Sequence, residues 1–233
     1  MVAKSLQIAR QMVAAGITTL EIDKEITKVI RKDGGRPAFK GFQGYPANTC
    51  ISVEDEVVHG IPNKKKLVEG LIVGVDLGVE IDGYYGDAAR TFPVGKISAE
   101  KQHLIDVTKR SLYAGIEFAR AGNRLSDISH AIQTVVEEEG YSVVRELVGH
   151  GIGRALHEEP QIPNYGKPHH GPRLKPGMVF AIEPMVNMGS HEVYTEDDGW
   201  TVRTDDGSPS AHYEHTIVIT DGEPRILTLD IEI

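Results

Sequence analysis

The chain has 233 residues, 40% hydrophobic and 25% charged, with no Pro-, Ser- or charge-rich run that reads as a linker. One domain over 1–233 without an amino-terminal extension is therefore expected, any two halves sharing a single core. Its 25 Lys and Arg against 34 Asp and Glu give a formal charge of −9, which argues against specific nucleic-acid binding. The single cysteine, Cys50, excludes an internal disulfide and paired-cysteine zinc or redox motifs. No apolar run approaches the roughly 20 residues that span a bilayer, so the reading is a cytoplasmic chain with no membrane contact.

The first helix carries Leu6, Ile8, Met12 and Val13 on one side. Thr18 with Glu21 makes a capping-box spacing ahead of Leu20, Ile22, Ile26 and Ile30, and Gly34-Gly35 closes this second helix. Strand-like runs follow at Ile51–Val53, Leu71–Val79 and Ala88–Val94. Helices then begin near Ser98 and Ser126 and stop at Gly122 and Gly140, and further strand-like runs lie at Met178–Val186 and Ala211–Ile219. Helices, strands, helices, strands in that order predict an α+β fold with antiparallel sheet and two similar halves.

Acids interrupt the apolar runs. Asp82-Gly83 is a strong two-residue hairpin signal, so residues whose numbers sum to 165 should pair and Asp76 should face Ala89. Asp87 then points to the same face as Asp76, at a diagonal separation of roughly 7 Å. Their bland reading is as solvent-facing polar residues of an alternating hairpin. Asp76, however, breaks the run Leu71 to Leu77, and a buried carboxylate needs a partner or a metal. Glu183 in Val179–Val186 and Glu214 in His212–Ile219 have the same character, with a buried salt bridge as the alternative. A period-2 face would set Glu214 alongside His212, Thr216 and Val218. His150, flanked by Gly149, Gly151 and Gly153, could project from a backbone that approaches its neighbours closely, or could be an ordinary core histidine. Four acids and one histidine suit Mn, Fe, Co or Zn, and a pair of such ions activates a shared water.

Motifs along nearly the whole chain carry a resemblance: Gly44-Tyr45-Pro46, Val58-His59-Gly60-Ile61-Pro62, Asp76 with Asp87 eleven residues later, Gly149 to Arg154 with His157-Glu158-Glu159-Pro160, Ile182 to Val186, Asp198 to Val202, and Tyr213-Glu214-His215-Thr216. Together they resemble the type I methionine aminopeptidases of the pita-bread metallopeptidase superfamily. The resemblance implies a duplicated α+β pita-bread fold, in which a curved antiparallel sheet is covered by helices. It implies two divalent metal ions (cobalt, manganese, iron or zinc), with Asp76 chelating one, Asp87 and Glu214 bridging, and His150 with Glu183 completing the other. Glu183 would manage the proton of the attacking water, His157 would contact the substrate carbonyl region and His59 the scissile amide. Phe42, Tyr45, Cys50, Leu156 and Trp200 would wall the methionine pocket, where an apolar, aromatic-lined cleft suits a linear thioether.

Phe42, Leu156, Leu147 and His212 depart from the pattern, standing where Tyr, an aromatic, an aromatic or Met, and Gln are expected, and the first helix is shorter than in typical members. The implied activity is removal of the initiator methionine from nascent proteins with a small second residue, by a monomer. Lys64-Lys65-Lys66, the only compact basic run, is a candidate ribosome contact, although such runs are usually solvated turns. An Xaa-Pro dipeptidase and a catalytically dead peptide-binding relative are the competing readings.

Overall fold

The two helix pairs form where capping and periodicity predict them. The computed structural model describes residues 1–229 and contains α1 (Val2–Met12), α2 (Thr19–Lys32), α3 (Ala99–Phe118) and α4 (Leu125–Glu138). At the start of α2 the Thr18 hydroxyl accepts from Glu21 N at 3.2 Å, and Glu21 Oε2 accepts from Thr18 N at 2.9 Å. Ile22, Ile26 and Ile30 form its fully buried stripe, each contributing roughly 1.5–3 kcal/mol relative to exposure. Helix α1 buries Val2, Leu6 and Ala9, while Ile8, expected on that face, lies half-buried on its flank. Among the described residues no helix is long and apolar enough to cross a membrane.

The first half continues with β1 (Arg36–Pro37), β2 (Cys50–Val53), β3 (Glu56–Val58), β4 (Ile72–Ile81) and β5 (Tyr84–Pro93). Asp82 and Gly83 both adopt positive φ, 53° and 78°, the twist that a two-residue hairpin requires. The register is the predicted one and runs without a bulge: Asp76 faces Ala89, and Asp87 faces Gly78. Strand β2 pairs on the other side of β4, setting Cys50 opposite Asp76.

The second half holds β6 (Ser142–Val143), β7 (Gly149–Gly151), β8 (Glu158–Ile162), β9 (Val179–Ile182), β10 (Met185–Asn187), β11 (Val193–Thr195), β12 (Val202–Thr204), β13 (Ser210–His212), β14 (His215–Val218) and β15 (Arg225–Ile226). All strand pairs between these elements are antiparallel. The runs Met178–Val186 and Ala211–Ile219, expected as single strands, are each broken, at Glu183-Pro184 and at Tyr213-Glu214. Strands β9 and β14 belong to a five-stranded sheet, and β10 and β13 to a three-stranded one. Proline has no N–H for a ladder, which favours the change of sheet at Pro184. The continuous face expected through His212, Glu214, Thr216 and Val218 is interrupted at the second break, where Glu214 N turns to Ala89 O.

The buried residues do not form the single shared core expected. One cluster joins α1 and α2 to β4 and β5, through residues such as Leu6, Ile26 and Leu77. A second joins α3 and α4 to β9 and β14, through Leu112, Ile128 and Phe180. Each helix pair covers its own strands; two smaller apolar clusters, one around Tyr45 and Leu156 and one around Val58 and Met185, bridge the halves, which also meet along a polar seam. The Thr216 hydroxyl donates to Asp87 O at 2.7 Å, Glu214 N donates to Ala89 O at 3.0 Å, and His212 N donates to Thr91 Oγ1 at 2.9 Å. Buried Arg90 donates from Nη1 to Glu214 O at 2.6 Å and lies 2.8 Å from His215 Nε2. Buried seams of this kind specify one alignment, because a slip leaves unpaired groups in a low-dielectric interior.

Candidate active site

A cavity of about 250 Å³ opens on this seam, lined by residues of both halves. Asp87, His150 and Glu214 each offer one ligand atom there, and these atoms lie within 4.8 Å of one another. Asp76 and Glu183 line the same cavity. Glu183 Oε1 is 3.6 Å from His150 Nε2, and its Oε2 is 3.7 Å from His212 Nε2. The five sequence-predicted ligands thus converge, although they come from β4, β5, β7 and the two strand breaks.

Local structure explains how each is aimed. Strand β7 is held between β8 and β9, and a Cβ on Gly149 would come within 2.4 Å of Ala181 O. Only glycine allows that approach. The His150 ring lies with Nδ1 2.8 Å from Gly151 O; a carbonyl only accepts, so Nδ1 carries the proton and Nε2 keeps its lone pair toward the acids. Asp87 is fixed through its main chain, whose N–H donates to Thr216 Oγ1 at 2.9 Å. The Glu183 carbonyl, released from the ladder at the break, accepts from Asn164 Nδ2 at 3.0 Å.

The electrostatics of this cluster are those of a cation site. Burial holds the carboxyl groups of Asp76, Glu183 and Glu214 well above the usual carboxylate range, and their negative neighbours add to it. Burial raises Asp87 to about 7. Asp76 Oδ1, Asp87 Oδ1 and Glu214 Oε1 are buried without a hydrogen-bond partner. Such oxygens are costly in a native interior unless a cation meets them. A set of hard oxygen donors with one imidazole fits a divalent first-row ion.

The other named residues line the same cavity: His59, His157, Phe42, Tyr45, Cys50, Leu156 and Trp200. The His157 ring packs 3.9 Å from that of His150 and edge-on to Phe42 at 4.8 Å. Tyr45 meets Trp200 edge-on at 5.2 Å, and its hydroxyl lies 3.0 Å from Gly60 O, to which it donates. Burial lowers His157, and burial with the nearby His157 lowers His59 to about 4, so both are neutral near pH 7. His59 has φ of 60°, in the left-handed region that few non-glycine residues occupy. Gly60 follows it, packed where a Cβ would come within 2.4 Å of Ile51 O. Buried Asp23 of α2 anchors the loop beyond Tyr45, accepting from Thr49 N at 3.0 Å and from Asn48 N at 3.1 Å.

Of the departures from the family pattern, Phe42, Leu156 and Leu147 line the cavity, and buried His212 faces Glu183. Phe39, Val58 and Met185 also line it and were not singled out from sequence. Val58 and Met185 stand within two residues of His59 and Glu183, which could have signalled them. Asn164 had no signal, because nineteen residues separate it from Glu183.

An antiparallel α+β frame whose seam gathers four carboxylates and an imidazole beside an apolar cleft is the frame of a metallopeptidase. Residues 1–221 match Metallopeptidase family M24, and the chain belongs to that family. It is similar to the methionine aminopeptidase of Clostridium perfringens, 54% identical over 226 residues that cover 97% of this chain and 91% of that protein. Among solved structures it is similar to methionine aminopeptidase from Rickettsia prowazekii, with a TM-score of 0.97, 41% identity, and 98% and 92% of the two chains covered. The prolidase from Pyrococcus furiosus, 23% identical with a TM-score of 0.79, shares the pita-bread fold over 99% of this chain and 61% of its own.

Proposed function

We propose that this chain is a metal-dependent aminopeptidase that removes the N-terminal methionine from nascent polypeptides whose second residue is small. The observation that carries the reading is the convergence of Asp87, His150 and Glu214 within 4.8 Å, beside buried carboxylate oxygens that lack hydrogen-bond partners. Similarity to methionine aminopeptidases over nearly the whole chain supports the substrate assignment.

Asp76, Asp87, His150, Glu183 and Glu214 would hold two divalent ions, Asp76 serving one, His150 and Glu183 the other, and Asp87 with Glu214 both. When bound, such ions supply an activated water and polarise the scissile carbonyl. Cobalt, manganese, iron and zinc all suit these ligands. Glu183, at the edge of the cluster, would take and return the water's proton. Neutral His157 would donate toward the substrate carbonyl oxygen, and neutral His59 toward the nitrogen of the scissile amide. Phe42, Tyr45, Cys50, Leu156 and Trp200 would exclude water from the methionine side chain and fix its orientation.

The protein would act as a cytoplasmic monomer on chains emerging from the ribosome. Exposed Lys64, Lys65 and Lys66 are the candidate contact, and loss of ribosome co-sedimentation on neutralising all three would support it. Assay of metal-reconstituted protein on Met-Ala-Ser and Ala-Pro tests the main reading. Release of methionine is expected; preference for Ala-Pro would make it a dipeptidase, and no turnover of either would leave a peptide-binding relative.

A further inference from the structure

Beyond its five proposed ligands, the cavity wall carries one charged side chain among the described residues, Glu146. Asp87 and Glu214 lie deep, 3% and 2% exposed, whereas Glu146 is exposed. It stands on the segment that leads through Leu147 and Val148, both cavity-lining, into β7 and His150. With exposed Gln43 and His157 it marks the open side of the cleft whose deep side holds Asp87 and Glu214. Its carboxylate receives one long main-chain bond, from Arg145 N at 3.2 Å, and no ion pair engages it among the described residues. The cation beside it in sequence is turned elsewhere, Arg145 lying over the Tyr165 ring at 5.6 Å. A negative charge is thus left unneutralised at the mouth.

The inference rests on the aminopeptidase reading. If the methionine enters the deep side and is cut at its own carbonyl, the rest of the polypeptide must leave through the mouth. Residues beyond the second then pass Glu146. We infer that Glu146 is a specificity determinant that reads the charge of the substrate downstream of its second residue, favouring lysine or arginine and disfavouring aspartate or glutamate. The remaining lining is apolar residues with Gln43 and the two histidines, His59 and His157, and carries no further acidic, Lys or Arg side chain among the described residues. Exposed charge pairs change equilibria by about two- to fivefold, and that is the discrimination expected between substrates of opposite charge. Screening should shrink it as salt is raised, because the pair faces solvent.

The test is the ratio of kcat/KM for Met-Ala-Lys-Ser to that for Met-Ala-Glu-Ser, with the charge also moved one position on in Met-Ala-Ser-Lys and Met-Ala-Ser-Glu, using metal-loaded protein. A ratio is read within one preparation, so it does not depend on the fraction of active molecules. The wild type should favour the lysine peptide at one or both positions by about two- to fivefold, Glu146→Gln should bring the ratio close to one, and Glu146→Lys should invert it. A wild-type ratio near one at both positions, or a preference that persists in both variants, overturns the proposal while leaving the aminopeptidase assignment standing. Absence of methionine release from the neutral peptide Met-Ala-Ser-Ser overturns both.

Discussion

Glu183 and Glu214 stand opposite each other at two strand breaks that share one register. His215 pairs with Ile182 on one side of the breaks and His212 pairs with Met185 on the other, so every pair of numbers sums to 397, as 183 and 214 do. Tyr213 N still donates to Pro184 O, at 3.3 Å. The two chains cross from one sheet to the next side by side, and both acids occur where the ladder lapses.

Removing charge from this cluster should separate stability from function. Folding the metal-free protein at pH 8 buries Asp87 in its ionised form at a cost, because burial raises it to about 7. Asp87→Asn should stabilise the metal-free protein at pH 8, on the order of 1–4 kcal/mol, and abolish most activity and metal content. Denaturant melts and metal analysis of the same preparation check both halves; a variant with full activity removes the metal-site assignment.

Metal and proton should compete. A carboxyl group with a raised folded-state pKa binds more protons folded than unfolded, so its contribution to metal-free stability is lost as pH rises from about 4 toward 7. Divalent ions need the deprotonated form. The gain in Tm on adding Mn²⁺ should therefore grow between pH 5.5 and 8, and binding should release protons near pH 6.5. Calorimetry in two buffers of different ionisation enthalpy measures that release; heats independent of buffer would contradict it.

His59 and His157 should act on substrate without holding metal. Replacing either by Ala is expected to lower kcat by about 10²–10⁴-fold, with metal content and Tm changed little. Retained turnover would remove the assigned roles. Lost metal would instead make the residue part of the cation site.

Gly60→Ala tests how His59 is aimed. The added methyl meets the Ile51 carbonyl, and overpacking of this kind costs roughly 1–3 kcal/mol. Because the backbone must move to relieve it, kcat should fall with the stability. If activity survives unchanged in the folded variant, the close packing of Gly60 does not aim His59.

Asn164→Ala leaves the Glu183 carbonyl without its side-chain donor. A loss of about 1–3 kcal/mol in stability is expected, with metal affinity weakened about 10–100-fold, as for other residues that orient ligands. Metal titration of the folded variant decides it: wild-type affinity would confine Asn164 to a packing role.

Much of this protein is determined by local sequence. The capping box at Thr18 and Glu21, the Ile22-Ile26-Ile30 stripe, the Asp82-Gly83 turn and the facing of Asp76 and Ala89 depend on contacts a few residues long or on a turn that allows one register. Local signals also marked Glu183, Glu214 and His150 as out of place in apolar or glycine-rich surroundings, and motif resemblance joined them into one candidate site. Tertiary structure alone decided what pairing across the chain sets: the strand breaks at Glu183 and Glu214, the separation into two helix-covered cores, the left-handed turn at His59 against Ile51, and the support of Glu183 by Asn164. These rest on which distant carbonyl a given N–H meets. Side-chain periodicity carries no record of that partner, because it reports which face of an element is buried and not what buries it.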